Sequence, residues 1–295
     1  MNKTKCCLLL VSLFAAIAAS ASIAQQSCDW PTFRGGPHNA GVAASALPAK
    51  PRLLWTYEAG SAVESTAAIV GDTVYVGTKK GQVLALRFAD GKLKWKFAAG
   101  DSVTASPCVV GNAVYAGSES GTFFALNKNT GKLLWKFAAK DKIISSAAPA
   151  PGVVLFGSYD YNLYCLNAST GKPKWTFKAD AQVHCSPCVF DGTVSIAGCD
   201  GKVRFIDLAT GKELANASVD ANMAASPAYQ NGVVYTGSLN GDYLAVRTKD
   251  GQVLWNHKEK ASGGAIFAAA AVKGESVVFG SRSRSVFCVD SAIGK

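Results

Sequence analysis

Hydrophobic and polar positions alternate along this chain in short bursts, and the bursts return at a fixed interval. Residues 101–140 show one cycle. VTASPCVV reads as a strand, Gly111-Asn112 as a turn, AVYAG as a second strand and SESG as a second turn. TFFALNK is a third strand, Asn129-Thr130-Gly131-Lys132 a third turn, and LLWKFAA a fourth strand. Short runs rich in Val, Tyr, Phe and Trp, bounded by Gly and Asn, predict antiparallel strands joined by tight turns. No part of the chain beyond its N-terminal segment shows the 3.6-residue periodicity of an amphipathic helix.

The cycle repeats. Trp55, Trp95, Trp135, Trp175 and Trp255 stand at multiples of 40, and the vacant slot holds Ala215. A Gly-Lys or Gly-Gln turn follows the same phase at Gly91, Gly131, Gly171, Gly211 and Gly251. A glycine ends the second strand at Gly77, Gly117, Gly157, Gly198, Gly237 and Gly280, and a small hydroxyl recurs at Thr66, Ser106, Ser146, Ser186 and Ser226. Four strands in about 40 residues is the blade of a β-propeller. Six units begin near residues 61, 101, 141, 181, 221 and 261. The fold class is therefore all-β, a propeller of about six blades over 53–295; the alternative is a fragment of a seven- or eight-bladed ring. The last unit stops before its Trp strand, and residues 53–57 (LLWTY) form a Trp strand with no blade before it. The two facts predict that this strand completes the last blade and closes the ring, which removes exposed strand edges. The five tryptophans and five turn glycines are read as architecture: an indole packed between blades, and a glycine free to take positive φ.

The unit x-V-Y-x-G…G-x-v-x-A-L-x-x-x-T-G-K-x-x-W resembles the pyrroloquinoline quinone (PQQ)-like repeat. GTFFALNKNTGKLLW at 121–135 is its closest copy, and WPTFRGGPHNAGV at 30–42 is similar to the start of exported PQQ-binding-like propellers. The resemblance covers about residues 30–295. It implies a propeller fold. It implies two very different functions, since the family includes quinoprotein dehydrogenases and BamB-type outer-membrane assembly factors, and a fold does not dictate function.

Composition narrows the choice. Charged residues are 17% and hydrophobic residues 49% of 295, so the chain buries a core. Lys3 and Lys5 precede an apolar run from Cys6 to Ile17, and Ser22-Ile23-Ala24 fits a small-x-small cleavage site. This reads as a secretory signal over 1–24, followed by an N-terminal extension over 25–52. Cleavage removes two lysines and lowers the net charge from +10 to +8. The lysines are scattered and form no nucleic-acid motif, so no nucleic-acid partner is expected. No later run is long enough to cross a membrane as a helix. Seven cysteines remain: Cys28, Cys108, Cys165, Cys185, Cys188, Cys199 and Cys288. An odd number leaves at least one thiol without an intramolecular partner.

Chemistry-bearing residues are few. His184-Cys185-Ser186-Pro187-Cys188 contains a Cys-x-x-Cys, but Ser186-Pro187-Cys188 repeats Ser106-Pro107-Cys108. Residues three apart on a strand point to opposite faces, so small structural residues are the better reading. Cys165 and Cys288 share a slot with Ala85, Ala125 and Ala245 and are read as core. Arg282 and Arg284, with Lys258, Glu259 and Lys260, read either as a patch for an anionic ligand or, as such charges more often are, as solvated surface. TFRGG at 32–36 is either a cap anchored by Arg34 or a linker. The dehydrogenases of the family resemble longer chains that hold PQQ and Ca²⁺ beside adjacent cysteines. Here the only adjacent pair is Cys6-Cys7, inside the signal. No catalytic residue, metal ligand or cofactor is predicted. The expected function is an exported, periplasmic or extracellular, non-catalytic scaffold that binds envelope proteins through its loop faces, BamB-like in kind. The alternatives are a PQQ-dependent oxidoreductase with calcium, or a carbohydrate-binding propeller. The exported protein is expected to begin at Gln25; N-terminal sequencing checks this, and a mature protein retaining Met1 would refute it.

Overall fold

The computed structural model describes residues 29–46, 48–258 and 264–295. The signal segment 1–24, Cys6, Cys7, Cys28, Glu259 and Lys260 lie outside the described residues. Six antiparallel sheets follow one another along the chain. We number them as blades 1 to 6, spanning 68–98, 108–138, 148–178, 188–218, 228–258 and 271–290. Blades 1 to 5 have four strands and blade 6 has three. Blade 2 is representative: Cys108–Val110 is innermost, then Ala113–Gly117, Thr122–Asn127 and the outer Leu133–Ala138. Each core lies between neighbouring blades. Ile143 of the approach to blade 3, for example, packs with Phe123 and Phe156.

The innermost strand is shorter than the hydrophobic run predicts. Of VTASPCVV, only Cys108–Val110 pairs as a strand. The residues before it are bonded between blades. The amide of Thr66 donates to Ser106 Oγ, Ser106 to Ser146, Ser146 to Ser186, and Ser186 to Ser226, all at 2.9–3.0 Å. The recurring hydroxyl thus replaces a ladder partner with a bond to the next blade.

At the rim, each indole lies over the turn glycine of the following blade. Trp55 faces Gly91, Trp95 faces Gly131, Trp135 faces Gly171, Trp175 faces Gly211 and Trp255 faces Gly294. A Cβ at Gly131 would collide with the Trp95 ring, and its φ of 69° already favours glycine. Each indole N–H also donates to a carbonyl of that next blade, as from Trp95 to Lys128 at 2.9 Å. Blade 4 lacks the indole. There Gly251 settles against the backbone of Asn216, beside Ala215.

The ring closure predicted from the N-terminal strand is not formed among the described residues. Residues 53–57 do stand where a preceding blade's outer strand would be, with Trp55 Nε1 donating to Phe88 O at 2.8 Å. They join no sheet, however, and Leu53 is 82% exposed. Nor do blades 6 and 1 make the glycine contact that joins four of the other neighbouring pairs; between blades 4 and 5, Gly198 meets Asp200 and Arg204 of its own blade instead. Gly77, Gly117, Gly157 and Gly237 each meet Val103, Ile143, Val183 or Ile266 of the next unit, whereas Gly280 meets nothing. Val63, the equivalent of fully buried Val103, is 46% exposed. For the same reason Cys288 is exposed rather than core, while Cys165 in the same slot is buried.

Trp95 is 8% exposed and bonded. Trp95→Ala is expected to lower unfolding stability by about 3–5 kcal/mol, read from the denaturant midpoint. A change below about 1 kcal/mol would mean the indole contact does not hold the blades.

Candidate functional site

The turns at the two ends of the blades build two mouths. One mouth is covered by the chain itself. Residues 30–40 run along the inner strands there: Val109 N–H donates to Pro31 O, Val189 to Pro37 O, Tyr229 to His38 O and Val272 to Ala40 O, all at 2.8–2.9 Å. Trp30 and Ile69 exchange two bonds. TFRGG is therefore part of a strap inside the ring, and the linker reading falls.

The opposite mouth is open. Its wall comes from two positions of the repeat. The first, directly after Val63, Val103, Ile143, Val183, Met223 and Ile266, holds Glu64, Thr104, Ile144, His184, Ala224 and Phe267. The second, just after the second strand, holds Lys79, Glu119, Tyr159, Cys199, Leu239 and Arg282. Backbone geometry at the second position is constant: the amides of Glu119, Tyr159 and Leu239 donate to Ser102, Lys142 and Asn222. Side-chain chemistry is not. Glu64 pairs with Lys79 at 3.2 Å, Thr104 Oγ1 donates to Glu119 at 3.3 Å, and Tyr159 Oη lies 2.9 Å from His184 Nδ1. Leu239 and Phe267 are exposed, and Arg282 stacks on the Phe267 ring at 4.2 Å. Glu64, Thr104, Glu119, Lys142, Ile144, Tyr159 and His184 line an open hollow of about 400 Å³.

Burial lowers the His184 pKa below its ordinary value. Burial, reinforced by Cys199 nearby, raises that of the Tyr159 phenol. Near neutral pH the pair is thus an uncharged imidazole beside a protonated phenol. A hydroxyl donating to Nδ1 leaves the imidazole proton on Nε2.

The motif tryptophans and glycines are away from this hollow, at the rim. Cys185 and Cys188 are buried, with burial holding both thiols well above the ordinary range, and Cys188 Sγ lies 3.2 Å from His38 O. Among the described residues all cysteines are free. Arg282 and Arg284 line one hollow with Phe267 and Val286, whereas Lys258 lies 3.9 Å from Asp242. Arg204, buried in blade 4, is neutralised by Asp200 at 2.6 Å, Asp180 at 2.8 Å and Glu213 at 3.2 Å, so its charge is internal to the fold. Sequence reading passed over Glu64, Glu119, Lys142 and Tyr159. The signal that marks them is a position constant in phase but variable in chemistry.

Comparisons place the fold. The profile of the family described as outer membrane protein assembly factor BamB matches residues 40–158 and again 125–295. BamB from Moraxella catarrhalis is similar in structure, with a TM-score of 0.73 at 23% identity, over 82% of this chain and 75% of that one. The computationally designed Ika8 protein gives 0.71 at 22% identity, over 78% of this chain and 71% of that one. At these identities the likeness is one of fold. A search of curated proteins finds no match.

The lowered His184 pKa makes stability depend on pH. Between the folded value and the ordinary 6.5, the unfolded chain binds a proton that the folded chain does not. The contribution is therefore complete above 6.5 and is lost as pH falls through the folded value. The thermal midpoint is expected to drop more steeply on acidification below 6.5 in the parent protein than in His184→Gln. Parallel curves would refute the assignment.

Proposed function

The chain belongs to the BamB outer membrane assembly factor family, and on that premise we propose that it is an exported, non-catalytic, protein-binding scaffold of the cell envelope. In this reading residues 1–24 are the signal, 25–52 the N-terminal extension and 53–295 the propeller, and the mature protein works in the periplasm or outside the cell. No helix among the described residues is long and apolar enough to cross a membrane.

One observation carries the reading. The open mouth sets chemically different side chains on a repeating backbone: an ion pair at blade 1, a carboxylate at blade 2, and the Tyr159–His184 pair between blades 3 and 4. Apolar Leu239 and Phe267 complete it on blades 5 and 6. A repeating array of blades with varied loops recognises a shaped, mixed surface, which is what a protein partner presents.

The quinone reading asks for a different donor set. Ca²⁺ takes six to eight oxygen ligands, several from carboxylates. At this mouth Glu64 is already paired with Lys79, and Glu119 is the other carboxylate of the hollow. Among the described residues no three His, Cys, Asp or Glu side chains come close enough to share a metal. These residues do not fit PQQ with calcium, and no step through that pair follows from them.

Cross-linking the mature protein to its own envelope fraction is expected to recover one protein at near-equal abundance. Glu119→Lys combined with His184→Ala should abolish the capture without shifting the thermal midpoint by more than a few degrees. A protein that captures nothing, yet turns over an alcohol or sugar when given PQQ and Ca²⁺, would overturn the scaffold reading.

A further inference from the structure

The innermost strand of a propeller blade is an edge strand. Its inward N–H and C=O groups need a partner or water. In this ring the second residue of each inner strand aims its amide into the channel. These residues are Ile69, Val109, Pro149, Val189, Tyr229 and Val272. Five carry an N–H, and all five donate to the strap, to Trp30, Pro31, Pro37, His38 and Ala40 in order. The sixth is proline and has none. Along the strap, the stretch between the bonds at Pro31 and Pro37 is where the chain turns, at Phe33–Gly35, with Arg34 at φ 60°. The strap bends where no donor is offered.

We propose that this end of the channel is a binding site for an extended polypeptide segment, and that residues 30–41 are its resident occupant. Three features point that way. Recognition is mostly by backbone, as in strand addition to a sheet edge. Two side chains add selectivity: the buried Asn39 amide donates to Pro187 O at 3.0 Å and Pro227 O at 3.1 Å, bridging blades 4 and 5, and the Arg34 guanidinium donates to Ala270 O of blade 6. Gly41 leaves room for that guanidinium, which a Cβ there would displace. Finally, the strap is joined to the blades by a tether. Residues 43–46 and 48–54 are exposed and carry no strand or helix. About ten residues of extended chain reach roughly 35 Å, enough for the strap to leave the ring while still attached.

A competing segment would need an extended backbone, with an arginine and an asparagine spaced as Arg34 and Asn39 are. The tethered strap holds the site at high effective concentration, so a rival binds only when the strap is out. The channel is then self-occupied, and a partner's segment replaces the strap. The inference stands apart from the open mouth, and its failure leaves the scaffold reading untouched.

The test cuts the tether after folding, so that assembly of the blades is not at issue. A protease site is placed after Ser45, the purified full chain is cleaved, and fluorescent peptide 29–42 is added. The labelled peptide is expected to bind the cleaved protein, to be displaced by excess unlabelled peptide, and to leave the uncut protein unlabelled. Asn39→Ala in the peptide should weaken binding about tenfold, the effect of losing about 1.4 kcal/mol. Two results would overturn the proposal. In one, the cleaved strap stays on the ring and never exchanges. In the other, a scrambled peptide binds as well as the strap sequence.

Discussion

An indole of one blade lying over a glycine of the next is the contact on which this ring depends. It joins units that otherwise share no hydrogen-bonded ladder, because each sheet is complete in itself. The contact requires a flat side chain on the outer strand and a turn residue with positive φ and no Cβ opposite it, as at Trp95 and Gly131. Near the axis the same coupling is made by small groups, with a serine hydroxyl receiving the amide of the preceding blade. Rim and axis together join each blade to the next and leave the turns of the open mouth outside these contacts. Blade 4 shows the dependence by exception. With Ala215 in place of the indole, the Asn216 backbone closes on Gly251. Arg204, where blades 1, 2, 3 and 5 place Leu84, Phe124, Tyr164 and Leu244, is buried with three carboxylates around it.

Stability in such an array is close to a sum of unit and nearest-neighbour terms. The contact that is not made therefore matters as much as those that are. Gly280 without a Val63 over it, and Val63 without a blade against it, leave blades 1 and 6 each with one uncovered face. The strap compensates from within. It bonds blades 1, 2, 4, 5 and 6 in succession, so the two end blades are tied to the same short segment.

Much of this fold was legible in the sequence, because propeller contacts recur at one period. The turn glycines, the hydroxyls and the indoles stand out because each serves the same contact in several blades. What failed to show was whatever depends on a neighbour rather than on the period. The run VTASPCVV has the composition of a strand, yet Ser106 bonds across to Ser146 and the strand begins only at Cys108. Cys288 shares a slot with Cys165, but a slot is buried only if the next blade arrives. Residues 53–57 carry the outer-strand pattern and still join no sheet. The mouth residues were hidden for the opposite reason. Reading for repetition discards positions that do not repeat, and Glu64, Glu119 and Tyr159 are such positions.

The two mouths therefore recognise by different means. At the strap end the donors are backbone amides from equivalent positions, and a row of equivalent amides cannot distinguish one extended segment from another. Selectivity there falls to what breaks the row: Pro149, which withholds a donor, and the side chains of Asn39 and Arg34, which donate to the carbonyls of Pro187, Pro227 and Ala270. At the open mouth the backbone is again equivalent from blade to blade, but every blade contributes a different pair of side chains. Discrimination is then a property of the whole circle, since no two quadrants offer the same charge or shape. A ring built by repetition gains specificity only where the repetition is broken, and in this chain those breaks gather at its two ends.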